Sequence, residues 1–371
     1  MPHFDIIKNT EPSQSFRVKS VMGSYDLQCS NIEERFVGNI DLPENWNIGL
    51  IVGRSGSGKS TIAKELFGDY IVTNYDYSHD NILDDMPQGV SVKDICITLS
   101  SVGFSSPPSW LKPYSVLSNG EKMRCDLARA ILEQRDIIAF DEFTSVVDRN
   151  IAQLGSFALQ KVIRRNNKKF IAITCHYDVQ QWLMPDWVFN TDDMTFHIYD
   201  VETQKKNRPT IKLNVYKVAK STTKEKLWRI FGKYHYLNHN FNKAATVYVC
   251  EINNHLCGFC AVLPFPHPIK KNCFKEHRTV VIPDYQGIGI GKSFTNMIAE
   301  LYASNGKKFI STTSNPAMIF ARKNDKNWVT TRIGRLSKGS ENGKIQNKHK
   351  KISTSANRIT VSFEYVGDGK V

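Results

Sequence analysis

Apolar residues in this chain gather into short runs broken by polar turns, and two of those runs end on glycine-rich loops. The run IGLIV stops at Val52, a loop of small residues follows, and a helical pattern then begins. Ile137-Ile138-Ala139-Phe140 is a second apolar run, predicted as a strand that ends in two acids. FIAIT is a third, placed just before Cys175-His176. Further on, TTKEKLWRIFGKYHYL has helical spacing with Leu227, Ile230 and Phe231 on one side. The stretch TVYVCEINNHLCGFCAVLPF reads as two strands around the turn Asn253-Asn254-His255, a hairpin. RTVVIPDYQGIGIGKSFTNMIAELYAS is a strand over Thr279–Ile282, a turn, three glycines and an amphipathic helix. The strand KKFISTTS, the helix NPAMIFARKN and a last strand ITVSFEY follow. Strands and helices alternate throughout, which predicts an α/β chain.

The segment VETQKKNRPTIK, residues 201–212, is polar and basic, contains a proline and reads as a linker. Charge changes sign there. Residues 1–200 hold 19 Lys+Arg against 26 Asp+Glu, a net of −7, whereas residues 201–371 hold 30 against 10, a net of +20. With 371 residues the chain is long for one compact domain. We therefore expect domains at 1–204 and 213–335, a linker at 205–212, and a basic segment with a final strand at 336–371. A basic half suits a polyanionic partner, nucleic acid above all, or a heavily phosphorylated cofactor. No long uncharged apolar run is present, so no membrane span is expected. The start MPHFDIIKNTEP lacks the basic and apolar blocks of a signal peptide. Eight cysteines without framework spacing read as reduced thiols, and the expected location is cytoplasmic.

The first glycine loop has a specific pattern. Gly53-Arg54-Ser55-Gly56-Ser57-Gly58-Lys59-Ser60 fits G-x-x-x-x-G-K-[ST] between a strand and a helix, with Thr61 opening that helix. Backbone N–H groups at a helix N-terminus cradle phosphate, Lys59 reaches the β and γ oxygens, and the Ser60 hydroxyl suits Mg2+. Asp141 is the matching Mg2+ residue and Glu142 the polariser of an attacking water. ATP is the expected ligand.

Between these motifs lies Leu117-Ser118-Asn119-Gly120-Glu121-Lys122, which resembles the LSGGQ signature of ABC-type ATPases. Thr144-Ser145-Val146-Val147-Asp148 is similar to that family's D-loop, and His176 follows a strand as its switch histidine does. The resemblance covers about residues 20–200. It implies that Ser118 and Gly120 cap the γ-phosphate held by a second copy, in an ATP-dependent head-to-tail homodimer. It also implies that His176 contacts the γ-phosphate, with Gln88 as the Q-loop candidate and Tyr25 as the adenine-stacking one. Asn119 and Glu121 replace the family's usual Gly and Gln. Ser118 lies 59 positions after Lys59, closer than in transporter cassettes, so a small helical subdomain and a soluble ATPase are expected.

The second glycine loop differs. Gln286-x-x-Gly289-x-Gly291 resembles the Q/R-x-x-G-x-G/A motif of GNAT acyltransferases, whose loop N–H groups bind the pyrophosphate of acetyl-coenzyme A. By that resemblance Gln286, Gly287, Gly289, Gly291 and Lys292 form the cofactor loop. A strand N–H near Val281 or Ile282 polarises the thioester. Phe320 stands where many members carry a tyrosine acid, so that role is unassigned. The region 210–335 also resembles Mom-type GNAT-like proteins, which modify adenine in phage DNA. His235-Tyr236, Ser314-Asn315-Pro316 and Trp328 carry this likeness and make Tyr236 and Ser314 catalytic candidates. A packed tyrosine and a helix-capping serine are the structural alternatives. Cys257 and Cys260, three apart in a strand, point to opposite faces and should not meet.

The expected architecture is a P-loop ABC-type ATPase domain followed by a GNAT-like mixed α/β domain. The expected function is acyl transfer to a nucleic acid, DNA ahead of RNA. Two alternatives stand beside it: a DNA-binding repair-clamp ATPase with a non-catalytic second domain, and an N-acetyltransferase for tRNA or protein.

Overall fold

The computed structural model describes residues 3–26, 32–72, 75–133, 135–206, 210–235, 241–266, 271–335 and 359–367. Two compact units emerge, one joining Met1–Asp76 to Arg129–Pro209 and the other joining Tyr77–Ala128 to Thr210–Val371. Residues 77–128, grouped by the sequence with the first half, thus pack with the second. Tyr236, the stretch 336–358 and most of the linker's basic core, 207–209, lie outside the described residues. Among the described residues, no helix is long and apolar enough to cross a membrane.

The first unit contains a two-stranded antiparallel ribbon, β1 (His3–Thr10) with β2 (Ile32–Asn39). Its main sheet uses β3 (Ile48–Val52), β4 (Ile137–Phe140), β5 (Lys169–Thr174), β6 (Trp187–Asn190) and β7 (Thr195–Ile198), in the order β4-β5-β3-β6-β7. The first four run parallel and β7 returns antiparallel. Parallel strands are covered on both faces, which is why β3 is buried at every position and reads as an unbroken apolar run. Helix Lys59–Phe67 buries Ile62, Ala63 and Phe67, and helix Arg149–Arg165 buries Phe157, Leu159 and Ile163 among others. The second helix starts where Asp148 accepts from the N–H groups of Asn150 and Ile151. Trp187, fully buried, packs edge-on against Trp46 at 5.5 Å and stacks on Phe67 at 6.3 Å.

The second unit is built on a seven-stranded sheet. Its strands are β8 (Asn214–Val218), β9 (Thr246–Ile252), β10 (His255–Pro264), β11 (Cys273–Val281), β12 (Lys308–Thr313), β13 (Trp328–Arg335) and β14 (Ile359–Tyr365). They lie in the order β13-β14-β12-β11-β10-β9-β8. The predicted hairpin forms with a two-residue loop, Asn253 and Asn254 taking φ of 50° and 64°, a backbone that Asn tolerates. Helix Ile290–Ala303 buries Phe294 and Ile298 in one core, and helix Ser221–Phe231 buries Trp228 and Phe231 in another. Cys257 and Cys260 are both buried without meeting. The close thiol pair is Cys250 and Cys257, with sulfurs 3.5 Å apart.

Two features of the sheet shape the site. β11 and β12 pair in parallel over Cys273–Lys275 and Lys308–Ile310, and no pairing follows toward Val281. The strands therefore diverge and leave a gap beside the end of β11. On the other side β11 pairs with β10, where a bulge makes Ala261 face Arg278 and Val262 face Glu276. His277 is the extra residue, unpaired in the ladder. A buried ion pair braces this strand: Arg322, 1% exposed, donates to Glu276 at 2.7 Å and to the Ser311 hydroxyl at 2.5 Å.

Two outcomes follow for stability. A Cβ at Gly49 would lie 2.0 Å from the Trp187 ring. Gly49→Ala should therefore lower unfolding stability by about 1–3 kcal/mol in urea titration, and an unchanged midpoint contradicts this packing. Burial, with the nearby Arg278 and Lys275, pushes His277 down from 6.5 to about 4. The unfolded chain then takes up a proton that the folded chain refuses, so stability falls as pH drops from about 6.5 to about 4. The difference in urea midpoint between the wild type and His277→Asn should change across that window.

Candidate functional site

In the first unit, three parallel strands deliver three loops to one edge of the sheet. Val52 aligns with Thr174, and Phe140 with Ala172, so Gly53, Asp141 and Cys175-His176 leave at the same end. This is the carboxyl end, where open α/β sheets bind ligands. Gly56 and Gly58 take φ of 81° and 85°, and Gly58 is the N-cap of helix Lys59–Phe67 without any side-chain cap. Glycine is required twice over at 58, because a Cβ there would lie 2.3 Å from the Phe36 ring. Among the described residues, the N–H groups of Gly56 and Gly58 donate to no protein acceptor.

The loop is braced rather than slack. Ser57 N–H donates to the Arg54 carbonyl at 3.2 Å, and the Lys59 ammonium, buried, donates to the same carbonyl at 2.6 Å. Ser57 and Thr191 hydroxyls lie 2.6 Å apart, and Asp192 accepts from the Arg54 backbone N–H at 2.9 Å and its side chain at 3.2 Å. Tyr177 donates to the other Asp192 oxygen. Thr191, Asp192 and Tyr177 belong to no motif and were not read from the sequence. Their role follows only from β6 lying beside β3.

Glu142 adopts φ of 54°, and its carboxylate accepts from Ser145 at 2.5 Å, within the D-loop stretch. Asp141 accepts from the Glu142 N–H at 2.8 Å. The His176 ring lies 3.4 Å from the Thr174 hydroxyl. Burial first, and then the charge of Arg149, hold it below its ordinary pKa and favour the neutral ring. Ser55, Ser60 and Thr61 stand on the same loop and first helical turn. The chemistry of this set fits a polyphosphate: uncapped N–H donors, one buried ammonium, a hydroxyl and a carboxylate for Mg2+. Tyr25 ends helix Phe16–Ser24 and is 74% exposed.

The signature stretch lies in the second unit. Ser118 and Glu121 form a reciprocal cap: the Glu121 N–H donates to the Ser118 hydroxyl at 3.3 Å, and the Ser118 N–H to the Glu121 carboxylate at 3.1 Å. The departure to Glu at 121 is used here, since it starts helix Asn119–Leu132. Gly120 is buried, while Ser118 and Gln88 are exposed.

The second glycine loop begins at the end of β11. Ile282 N–H donates to the Cys257 carbonyl at 2.9 Å, so it is not free to polarise a thioester. Antiparallel strands alternate direction, and the Gly258–Val281 pair is therefore the non-bonded one. The N–H and carbonyl of Val281 face the gap beside β12. Of the two candidates, geometry leaves Val281. Its carbonyl accepts from the Gln286 amide at 2.7 Å. Gly287 and Gly289 take φ of 85° and 98°, and Gly289 is the uncapped N-cap of helix Ile290–Ala303. Neither N–H donates to any protein acceptor among the described residues.

A Cβ at Gly291 would lie 3.5 Å from Val281 and 3.7 Å from the Met318 sulfur, so this turn also adjoins helix Pro316–Lys323. Asn315, not Ser314, caps that helix, accepting from the Met318 N–H at 3.1 Å. Lys292 pairs with Asp325 at 3.2 Å. Phe320 is 62% exposed and supplies no acid. Among the described residues, no cluster of His, Cys, Asp and Glu is arranged to hold a metal.

Comparison with known proteins divides along the chain. Residues 214–323 match the family model for acetyltransferases of the GNAT family. The energy-coupling factor transporter ATP-binding protein EcfA of Malacoplasma penetrans is 28% identical over 223 residues, 49% of this chain and 74% of that protein. The mRNA export factor elf1 of Schizosaccharomyces pombe is 33% identical over 132 residues, 29% of this chain and only 12% of its own length. Among solved structures, the chain is similar to an IAA acetyltransferase from Bacillus cereus ATCC 14579. The match has 16% identity and a TM-score of 0.30, over 42% of this chain and 99% of that one. The chain thus carries a domain of the GNAT acetyltransferase family over residues 214–323, and its N-terminal region resembles ABC ATPase cassettes.

Proposed function

We propose that the protein couples ATP binding to acyl transfer onto a nucleic acid, a DNA base ahead of RNA. The observation that supports it most is the second cradle. Gly287 and Gly289 leave N–H groups without protein acceptors at a helix N-terminus, and the Val281 N–H faces the adjoining gap. That arrangement suits a pyrophosphate at the glycines and a thioester carbonyl at Val281. Acetyl-coenzyme A, when bound, supplies the thioester whose carbonyl carbon an amine attacks. The new bond is nitrogen to carbon, the broken one carbon to sulfur, and the amine proton ends on the departing thiolate. Val281 N–H stabilises the charge that develops on the carbonyl oxygen.

In the first unit, Gly53–Thr61 would take the ATP phosphates, and Ser60 with Asp141 would hold Mg2+. Glu142 would receive a proton from water, with neutral His176 beside the γ-phosphate. Ser118 and Gly120 would complete that site in a second copy, as the resemblance implies. The net charge of +20 over residues 201–371 favours a polyanionic acceptor. An exocyclic amine of a base is a suitable nucleophile once the base leaves the stack. Ser314 and Tyr236 stay as catalytic candidates for that transfer.

Two experiments test this reading. Glu142→Gln should retain ATP while slowing hydrolysis by about 10²- to 10⁴-fold, and Lys59→Ala should lose ATP binding itself. Full hydrolysis by Glu142→Gln contradicts the role given to Glu142. DNA from cells expressing the protein, digested to nucleosides, should contain an acylated base that disappears with Gly289→Asp. An unchanged nucleoside profile, with acylated tRNA or protein instead, overturns DNA as the acceptor.

A further inference from the structure

The helix that carries the signature also grips the acyl-donor loop, and the part of it that does so, up to Ala128, lies in one compact unit with that loop. Ser118 and Glu121 cap the start of helix Asn119–Leu132. Further along it, Arg124 is 2% exposed and donates to Asp284 at 2.7 Å. Asp284 belongs to the turn Pro283–Tyr285, which joins the end of β11 to Gln286. A second contact comes from the neighbouring helix Val92–Ser101 and the residues after it. Ser105 N–H donates to the Gln286 amide oxygen at 2.9 Å, while the Gln286 amide nitrogen donates to the Val281 carbonyl at 2.7 Å. Gly103, at φ of 93°, approaches so closely that a Cβ would lie 3.0 Å from the Gln286 carbonyl oxygen.

These contacts hold the two ends of the site. Arg124 fixes the turn before the glycines, and Ser105 fixes the side chain that bridges to Val281. A buried arginine is costly unless paired, so the position of helix Asn119–Leu132 and that of Asp284 are bound together. Tyr77 and Tyr114, stacked at 3.8 Å, both donate to Asp126 at 2.7 Å and tie the rest of this segment to the same helix.

We propose that Arg124, Asp284, Ser105 and Gln286 are positioning residues that make acyl-donor affinity depend on ATP. Engagement of Ser118 by the γ-phosphate of a second copy constrains the signature helix. Through Arg124 and Asp284 that constraint holds the glycine loop and Val281 in the binding geometry. The inference rests on the reading of both sites given above. A loop already ordered before its ligand arrives binds it more tightly.

The test uses the full chain, with acetyl-coenzyme A titrated calorimetrically in the presence and absence of a non-hydrolysable ATP analogue with Mg2+. The wild type should bind acetyl-coenzyme A roughly 5-fold or more tightly with nucleotide, and acetyl-coenzyme A should tighten the analogue by the same factor. Asp284→Asn, a change at a half-exposed carboxylate, should bring the ratio to about 1, and so should Arg124→Lys. The ratio, unlike the affinity itself, does not move for a contact that only supports the fold. Acetyl-coenzyme A binding that ignores nucleotide overturns coupling through donor affinity and leaves the reading of each of the two sites standing. Coupling that survives both substitutions overturns the role of the pair. No acetyl-coenzyme A binding in any state overturns the reading of the loop and the coupling with it.

Discussion

A backbone N–H in the first turn of a helix has no helical carbonyl to bond, and helices Lys59–Phe67 and Ile290–Ala303 both start without a capping side chain. Both turns are entered through glycine in the left-handed region, Gly58 at one and Gly289 at the other. Each follows the end of a strand in a different sheet, β3 in the first unit and β11 in the second. The aligned peptide dipoles add a partial positive charge at the same place. Backbone geometry thus offers an anion the same set of donors at both helix starts, and the side chains around them differ.

The two sites differ in what they add to that common device. The first gathers a buried ammonium at Lys59, the carboxylates Asp141 and Glu142, and a histidine that burial holds below its ordinary pKa. Those groups suit hydrolysis of a phosphoanhydride with a metal ion. At the second, Lys292 on the glycine loop is paired with Asp325. What it has is a divergence of β11 from β12 and one strand N–H turned into the gap. That gap suits a carbonyl beside the phosphate cradle of the glycines. The buried Glu276–Arg322 pair braces the strand on which this depends.

The glycine loops were legible because their chemistry is local. A positive φ at Gly56, Gly58, Gly287 or Gly289 and a helix directly after it need only a dozen consecutive residues. The hairpin turn at Asn253-Asn254 was legible for the same reason. What escaped the sequence acts across long separations. Thr191 and Asp192 reach the first loop only because β6 is laid beside β3. Arg124 meets Asp284, 160 positions away, and nothing in either neighbourhood marks the other. Residues 77–128 group with the second half, where the sequence put them with the first. The choice of Val281 over Ile282 needed the register of β10 on β11, which no motif encodes.

The central claim is that one chain holds two different polyphosphate ligands at once, each on its own backbone cradle. Native mass spectrometry of the purified chain with ATP, Mg2+ and acetyl-coenzyme A together measures this directly. The account predicts one nucleotide and one acetyl-coenzyme A per chain, with neither displacing the other. Mutual displacement, or a chain that takes up nucleotide and never acetyl-coenzyme A, contradicts it.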